Sequence, residues 1–213
     1  MAAAANPARA AAMKAYMKST MSYRGINMPE VRAITRRVFD DAPMTCDEWR
    51  DTVLRLWRGA RYREERYVAQ ILLEHTRHRD CLSPRDMPML EEMVVTGAWW
   101  DLVDEVAPVI GELLRHHPKQ MRPLMRLWST DHDLWKRRVS IICQLKFKRD
   151  TDLELLYANI EPNLTDRDFF IRKAIGWALR QYAWTDPDEV ARYVRSNESR
   201  LSGLSKREAM KNI

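Results

Sequence analysis

Apolar positions recur three and four residues apart along most of the chain, with polar residues between them. Val139, Ile142 and Cys143 form one such stripe, and Ile171, Ile175, Ala178 and Leu179 form another. That period gathers the apolar side chains on one face of a helix, and strict alternation of the strand type is scarce. Five segments carry helix start signals: Asn27-Met-Pro-Glu30, Thr45-Cys-Asp-Glu48, Thr165-Asp-Arg-Asp168, Asp186-Pro-Asp-Glu189 and Ser205-Lys-Arg-Glu208. In each, a short polar side chain can accept from free backbone N–H groups while an acid three residues later complements the helix dipole. His116-His117 before Pro118 reads as a helix end. With six glycines and ten prolines, the latter mostly at segment boundaries, the pattern predicts an all-α fold.

A repeat emerges when Trp135-Lys-Arg-Arg-Val139 is laid over Phe170-Ile-Arg-Lys-Ala174 and Ser205-Lys-Arg-Glu-Ala209, whose starts lie 35 residues apart. Upstream, Trp99 precedes Trp135 by 36 residues and Tyr62 precedes Trp99 by 37. Such a period suits a two-helix unit that buries its apolar face by stacking on its neighbours. The expectation is one solenoid domain over residues 1–213 with a concave face.

Composition narrows the partner. Lys and Arg number 36 against 30 Asp and Glu, giving a formal net charge of +6 and favouring a polyanion. Cys46, Cys81 and Cys143 are odd in number and show neither a CxxC pair nor a disulfide-like pattern, which predicts a reducing compartment. The Ala-rich N-terminus lacks the features of a secretory signal, and no apolar run is long enough to cross a bilayer. A cytoplasmic protein with no membrane partner is expected.

The chemistry concentrates in Trp99-Trp100-Asp101-Leu102-Val103-Asp104. Adjacent tryptophans cannot share one helix face, so one should point outward. Trp100 and Asp104 are four residues apart and lie about 40° from one another around the helix, so an indole face and a carboxylate can flank one bound group. The same residues also fit a core tryptophan beside a solvated acid. Trp177 lies two repeats beyond Trp100, where it could line the same face, and Arg138 comes from the repeat between them. Arg137, Arg138, Lys146, Lys148, Arg149, Arg172, Lys173 and Arg180 would form a phosphate track if they share a face, and scattered solvated cations otherwise. His75-x-x-His78-x-x-Cys81 has metal-ligand residue types at helical spacing, but no second cluster completes a zinc site. No phosphate-cradling glycine loop, dinucleotide fingerprint or serine elbow is present. Neither a metal nor a cofactor is expected.

Taken together, Tyr16-Met-Lys, Gly25-Ile-x-x-Pro29-Glu-x-Arg32, Trp99-Trp-Asp-x-Val-Asp104, Arg138 with Lys146 and Lys148, Phe169-Phe-Ile-x-Lys-Ala-Ile-Gly-Trp177-x-Leu-Arg180 and Leu204-Ser-Lys-Arg-Glu-Ala209 resemble, in order, the AlkD-like alkylpurine DNA glycosylases of the DNA alkylation repair superfamily. The resemblance implies a HEAT-like helical-repeat solenoid with a basic concave DNA-binding face. It implies that Trp100, Asp104 and Trp177 surround a lesion nucleotide while Arg138 supports the site through the DNA backbone. Tyr16, Arg32, Lys146, Lys148, Lys173 and Arg180 become DNA contacts. The implied partner is double-stranded DNA carrying alkylated purines, bound by a monomer.

A purine alkylated at N3 or N7 is cationic and a good leaving group, so the barrier lies in charge moving onto the deoxyribose. Asp104 would stabilise that sugar and position water while the two indoles shield it. Two other readings of the same residues stand beside this one: a non-catalytic repeat protein that recognises DNA structure, and a protein-binding scaffold whose tryptophans anchor a partner.

Overall fold

The computed structural model describes residues 1–40 and 43–213, apart from the side chain of Arg37. Helices account for the regular structure of the described residues, with no strand beyond one isolated parallel bridge between Ser22 and Tyr62. The all-α helical-repeat expectation is met. Two units emerge, Met1–Met89 and Leu90–Ile213.

The first unit holds α1 (Pro7–Tyr16), α2 (Met28–Asp40), α3 (Cys46–Arg58) and α4 (Arg63–Leu73). Two of the expected start signals are capping boxes. Asn27 Oδ1 accepts from Glu30 N at 3.0 Å while Glu30 Oε2 accepts from Asn27 N at 2.8 Å, and Thr45 and Glu48 make the same reciprocal pair. Helix α3 buries Trp49, Val53 and Trp57, and α4 packs against both α2 and α3. At the start of α4, the carboxylate of the fully buried Glu64 accepts backbone N–H bonds from Arg24, Gly25 and Ile26 at 2.8–3.1 Å. These bonds offset the cost of burying an acid and fix the loop before α2. Gly25 is needed there: its φ is +79°, and a Cβ would fall 2.1 Å from the Asn6 carbonyl oxygen.

The cysteine expectation is overturned in this unit. Cys46, the first residue of α3, is disulfide-bonded to Cys81, the last residue of a 3-10 helix spanning Thr76–Cys81. The two cysteines lie 35 residues apart, a separation that only helix packing can close. The cysteine pattern therefore carries no argument for a reducing compartment.

Helix α5 (Met87–Gly97) spans the boundary between the units. The second unit continues with α6 (Trp100–His116), α7 (Pro118–Trp128), α8 (Leu134–Ile142), α9 (Leu153–Ile160), α10 (Phe169–Ala183), α11 (Pro187–Ser196) and α12 (Gly203–Ala209). The helices alternate between two layers. Helices α6, α8, α10 and α12 pack each on the next, α7 packs on α9, and the hairpin pairs α6–α7, α8–α9 and α10–α11 join the layers. Every residue of the two predicted apolar stripes is buried: Val139, Ile142 and Cys143 in one, and Ile171, Ile175, Ala178 and Leu179 in the other.

Two start signals shift by three residues. Asp168, not Thr165, caps α10 by accepting from Phe170 N and Ile171 N. Ser202, not Ser205, caps α12. The displaced Ser205 is buried and donates to the Arg172 carbonyl oxygen at 2.9 Å, so its hydroxyl serves the contact between helices. Asp186 caps α11 as expected. Among the described residues, no helix is long and apolar enough to cross a membrane.

Candidate active site

The aromatic residues that head the repeats meet one another. Trp99 and Trp135 have ring centroids 6.2 Å apart, Trp99 and Phe170 5.3 Å, and Trp135 and Phe170 5.0 Å. The helix starts aim them there. Asp133 and Asp168 cap α8 and α10, accepting from the backbone N–H groups of Trp135 and Phe170 at 2.8 and 2.6 Å. Trp99 is the N-cap of α6 and follows Ala98, whose φ of +42° turns the chain sharply out of α5. That turn separates the adjacent tryptophans. Trp99 joins the cluster, whereas Trp100, the first residue of α6, is 37% exposed.

One helical turn beyond Trp100, Asp104 faces α8. Arg138 Nε donates to Asp104 Oδ1 at 2.7 Å and Arg138 Nη2 to Oδ2 at 2.8 Å, a bidentate pair. Arg138 Nη1 donates to the Phe170 carbonyl oxygen at 2.6 Å, and the guanidinium carbon lies 5.9 Å from the Phe170 ring centroid. The Arg138 side chain is 4% exposed and that of Asp104 15%. Helices α6, α8 and α10, three successive members of one layer, thus hold one charged pair with a small opening at the carboxylate. Burial raises the Asp104 carboxyl above its ordinary value, and the hydrogen bonds from Arg138 only partly offset that shift.

The other expected site residues fall into distinct settings. Trp177 is half-buried on α10, seven residues beyond Phe170, and no described hydrogen bond joins it to Asp104 or Arg138. Lys146 and Lys148 are exposed after α8, with Lys148 at a φ of +54°. Lys173 and Arg180 converge on Glu208: Lys173 Nζ lies 2.9 Å from Oε1 and Arg180 Nη1 2.7 Å from Oε2, with Lys211 Nζ adding a third cation at 2.6 Å. Of the remaining basic residues in the expected track, Arg137 pairs with Asp166 and Arg172 Nε donates to the Asp168 carbonyl oxygen. In the first unit, Tyr16 at the end of α1 and Arg32 on α2 are exposed.

Two residues that sequence reasoning left without a site role enter here. Phe170 was visible as a repeat head, but its carbonyl could not be foreseen as the acceptor that fixes Arg138. Glu208 was read as a capping acid. The available signal was the repeat itself, because Asp104 and Arg138 are 34 residues apart and Lys173 and Glu208 are 35 apart. Cys81, the third member of the His75, His78 and Cys81 row, is held in the disulfide. Among the described residues, no group of three or more His, Cys, Asp or Glu is placed to hold a metal ion.

The family described as "DNA alkylation repair enzyme" matches residues 1–213. A solved structure titled "Predicted DNA alkylation repair enzyme from Enterococcus faecalis" superposes with a TM-score of 0.86 at 31% identity, covering 97% of this chain and 95% of that one. No curated protein matches the chain by sequence. The fold, the full-length family match and this structural relative lead to one conclusion: the chain belongs to the DNA alkylation repair enzyme family, whose role lies in the repair of alkylation damage to DNA.

Proposed function

We propose that the chain is an AlkD-like DNA glycosylase of HEAT-like repeats that releases cationic N3- and N7-alkylated purines from duplex DNA. The observation that carries this reading is the Asp104–Arg138 pair, a mostly buried carboxylate that opens beside an exposed indole. The bond between C1′ and the purine nitrogen breaks with its electron pair going to the base, which leaves neutral because it began as a cation. Positive charge then rests on the sugar. Asp104 faces that charge where water is scarce and the interaction is strong. Water attacks C1′ and its proton passes to Asp104 or to solvent, so atoms and charge balance.

Arg138 holds both carboxylate oxygens, which fixes the acid's orientation, and the remaining lone pairs of those oxygens are left for the sugar. A duplex phosphate approaching Arg138 competes for its donors, and each bond it takes returns negative charge to Asp104. Trp100 and Trp177 supply π faces around the cation. Lys146 and Lys148 are exposed candidates for phosphate contacts in the second unit, and Tyr16 and Arg32 in the first. Lys173 and Arg180 contribute in the same way only by leaving Glu208.

Duplex DNA carrying 7-methylguanine, incubated with the purified protein, tests the reading by chromatography of the freed base. Release of 7-methylguanine, with uracil and hypoxanthine left in place, is expected, because the site offers no acid aimed at a base and neutral bases depart as anions. Binding without release would favour a non-catalytic DNA-binding protein.

A further inference from the structure

Helix α10 keeps one face unburied. Lys173, Trp177, Arg180 and Trp184 follow one another at intervals of four, three and four residues, which places them on one stripe about 60° wide. Behind them Ala174, Ile175, Gly176, Ala178, Leu179 and Ala183 are buried. Trp184 is the C-cap but keeps helical backbone angles, with φ at −65° and ψ at −18°, so it extends the stripe. At 74% exposed it is the most open tryptophan among the described residues. The cap uses only its backbone N–H, so the fold makes no demand on an indole there. An aromatic side chain left in water forgoes the burial that such side chains ordinarily contribute.

The same end of α10 borders a loop that presents cations. Gln181 and Tyr182 line one hollow with Gln144, Lys148 and Thr151, which come from the end of α8 and the segment after it. Two bonds close that loop: Gln144 Nε2 donates to the Asp152 carbonyl oxygen at 3.1 Å, and Asp152 N donates to Gln144 Oε1 at 2.8 Å. Phe147 is buried beneath it, with the Arg115 guanidinium 4.5 Å from its ring centroid. Lys146, Lys148 and Arg149 are exposed against one exposed acid, Asp150. Lys148 holds its φ of +54°, a region that residues other than glycine enter at a cost. Asp186 and Asp188 follow Trp184, but they serve the start of α11 as its cap and a first-turn acid.

We infer that this stripe is a track for the sugar–phosphate backbone of duplex DNA, with Trp184 as its outer contact. The inference rests on the duplex partner of the proposed function and not on its bond-breaking chemistry. Trp184 stands about 11 Å along the helix from Trp177, or about three nucleotide steps of one strand. It therefore meets the duplex beyond the lesion that Trp177 shields. An indole suits such a contact, because its face packs on a deoxyribose while its N–H donates to a phosphate oxygen. With Lys173 and Arg180 held by Glu208, the indoles carry the stripe's direct contacts and the loop lysines neutralise neighbouring phosphates. Those cations select a polyanion over an apolar protein surface.

Anisotropy titrations of the full-length protein with a labelled, undamaged duplex test this without any need for base release. Trp184→Ala should weaken binding to a duplex of about 20 base pairs by about 5-fold or more. Its urea unfolding midpoint should match the original, because the side chain is mostly in solvent. With 5-fluorotryptophan incorporated, the fluorine resonance that Trp184→Phe removes should shift when the duplex is added to the original protein. Duplex binding undiminished in Trp184→Ala, or a Trp184 resonance that does not respond, overturns the inference. So does tighter binding to the single strand than to the duplex, the mark of a base-stacking platform. Duplex binding that depends on Trp184 without release of 7-methylguanine supports the inference while removing the glycosylase reading. A protein that binds no duplex removes both.

Discussion

Two carboxylates of the second unit receive cations from the neighbouring helix of the same layer, and their carboxyls are shifted in opposite directions. Asp104 meets a single arginine, Arg138, and burial raises its carboxyl above the ordinary value. Glu208 has a side chain only 6% exposed but meets Lys173, Arg180 and Lys211. Burial pushes its carboxyl up too, yet the hydrogen bonds from Lys211 and Lys173 outweigh that and hold it down at about 2. The difference separates two uses of a buried acid. Lys173 and Arg180 make Glu208 a fastener between α10 and α12, whereas the single arginine on Asp104 orients the carboxylate without offsetting the effect of its burial.

The fastener should dominate stability. Glu208→Gln leaves three cations facing a neutral group, and a loss of about 2 kcal/mol in urea unfolding is expected, discounted from fully buried pairs because the cations are partly exposed. Stability within error of the original would make the cluster decorative. Gly176 sharpens the point: a Cβ there would meet the Glu208 Cβ at 2.5 Å and the Ser205 carbonyl oxygen at 2.9 Å. Gly176→Ala should therefore destabilise the same junction by about 1–3 kcal/mol.

Asp104→Asn should act on both readouts. Base release under single-turnover conditions should fall at least ~10-fold, or about 1.4 kcal/mol of transition-state stabilisation, and the unfolding midpoint should fall as well, because the 4%-exposed Arg138 side chain loses its counter-charge. If release persists at the original rate, Asp104 has no part in the chemistry.

The two acids should also respond oppositely to pH. The Glu208 carboxyl is depressed in the folded state, so its stabilisation is complete above the unfolded value near 4.5 and is lost as pH falls toward about 2. The Asp104 carboxyl is raised, so its contribution to stability declines as pH rises from its unfolded toward its folded value. Base release, which needs the ionised form, should rise with pH through a point above the ordinary aspartate value. Arg138→Ala should move that limb higher still. An acid limb at or below the ordinary value would detach it from Asp104.

The smallest effects concern the basic residues. Lys146→Ala should lower the slope of log Kd against log salt by about one unit for duplex DNA. Lys173→Ala should change it by less, because Lys173 is already paired with Glu208. Equal slopes for the two variants would show that DNA releases Lys173 from its partner.

Much of this was legible in the chain. The 3.6-residue stripes specified the helices, Asn27, Thr45 and Asp186 marked starts that are observed, and the recurrence of Trp99, Trp135 and Phe170 at 36 and 35 residues marked the repeat, though not that its rings touch. The two shifted starts differ in kind. Asp168, three residues after exposed Thr165, accepts from Phe170 N and Ile171 N, whereas Ser202 caps α12 because Ser205 is drawn into packing. Ser205 is bonded to the carbonyl oxygen of Arg172 and so belongs to packing.

The sequence by itself determined the helices, their period and the outward turn of one tryptophan of the adjacent pair, because hydrogen bonds and apolar periodicity act within three or four residues. Only the tertiary structure decided that Arg138 closes on Asp104, that Glu208 gathers Lys173 and Arg180, that Glu64 caps the loop at Gly25 and that Cys46 meets Cys81. Those partners lie about 28–40 residues apart. At that range no local rule selects one carboxylate or thiol over another, and the stacking of whole helices does.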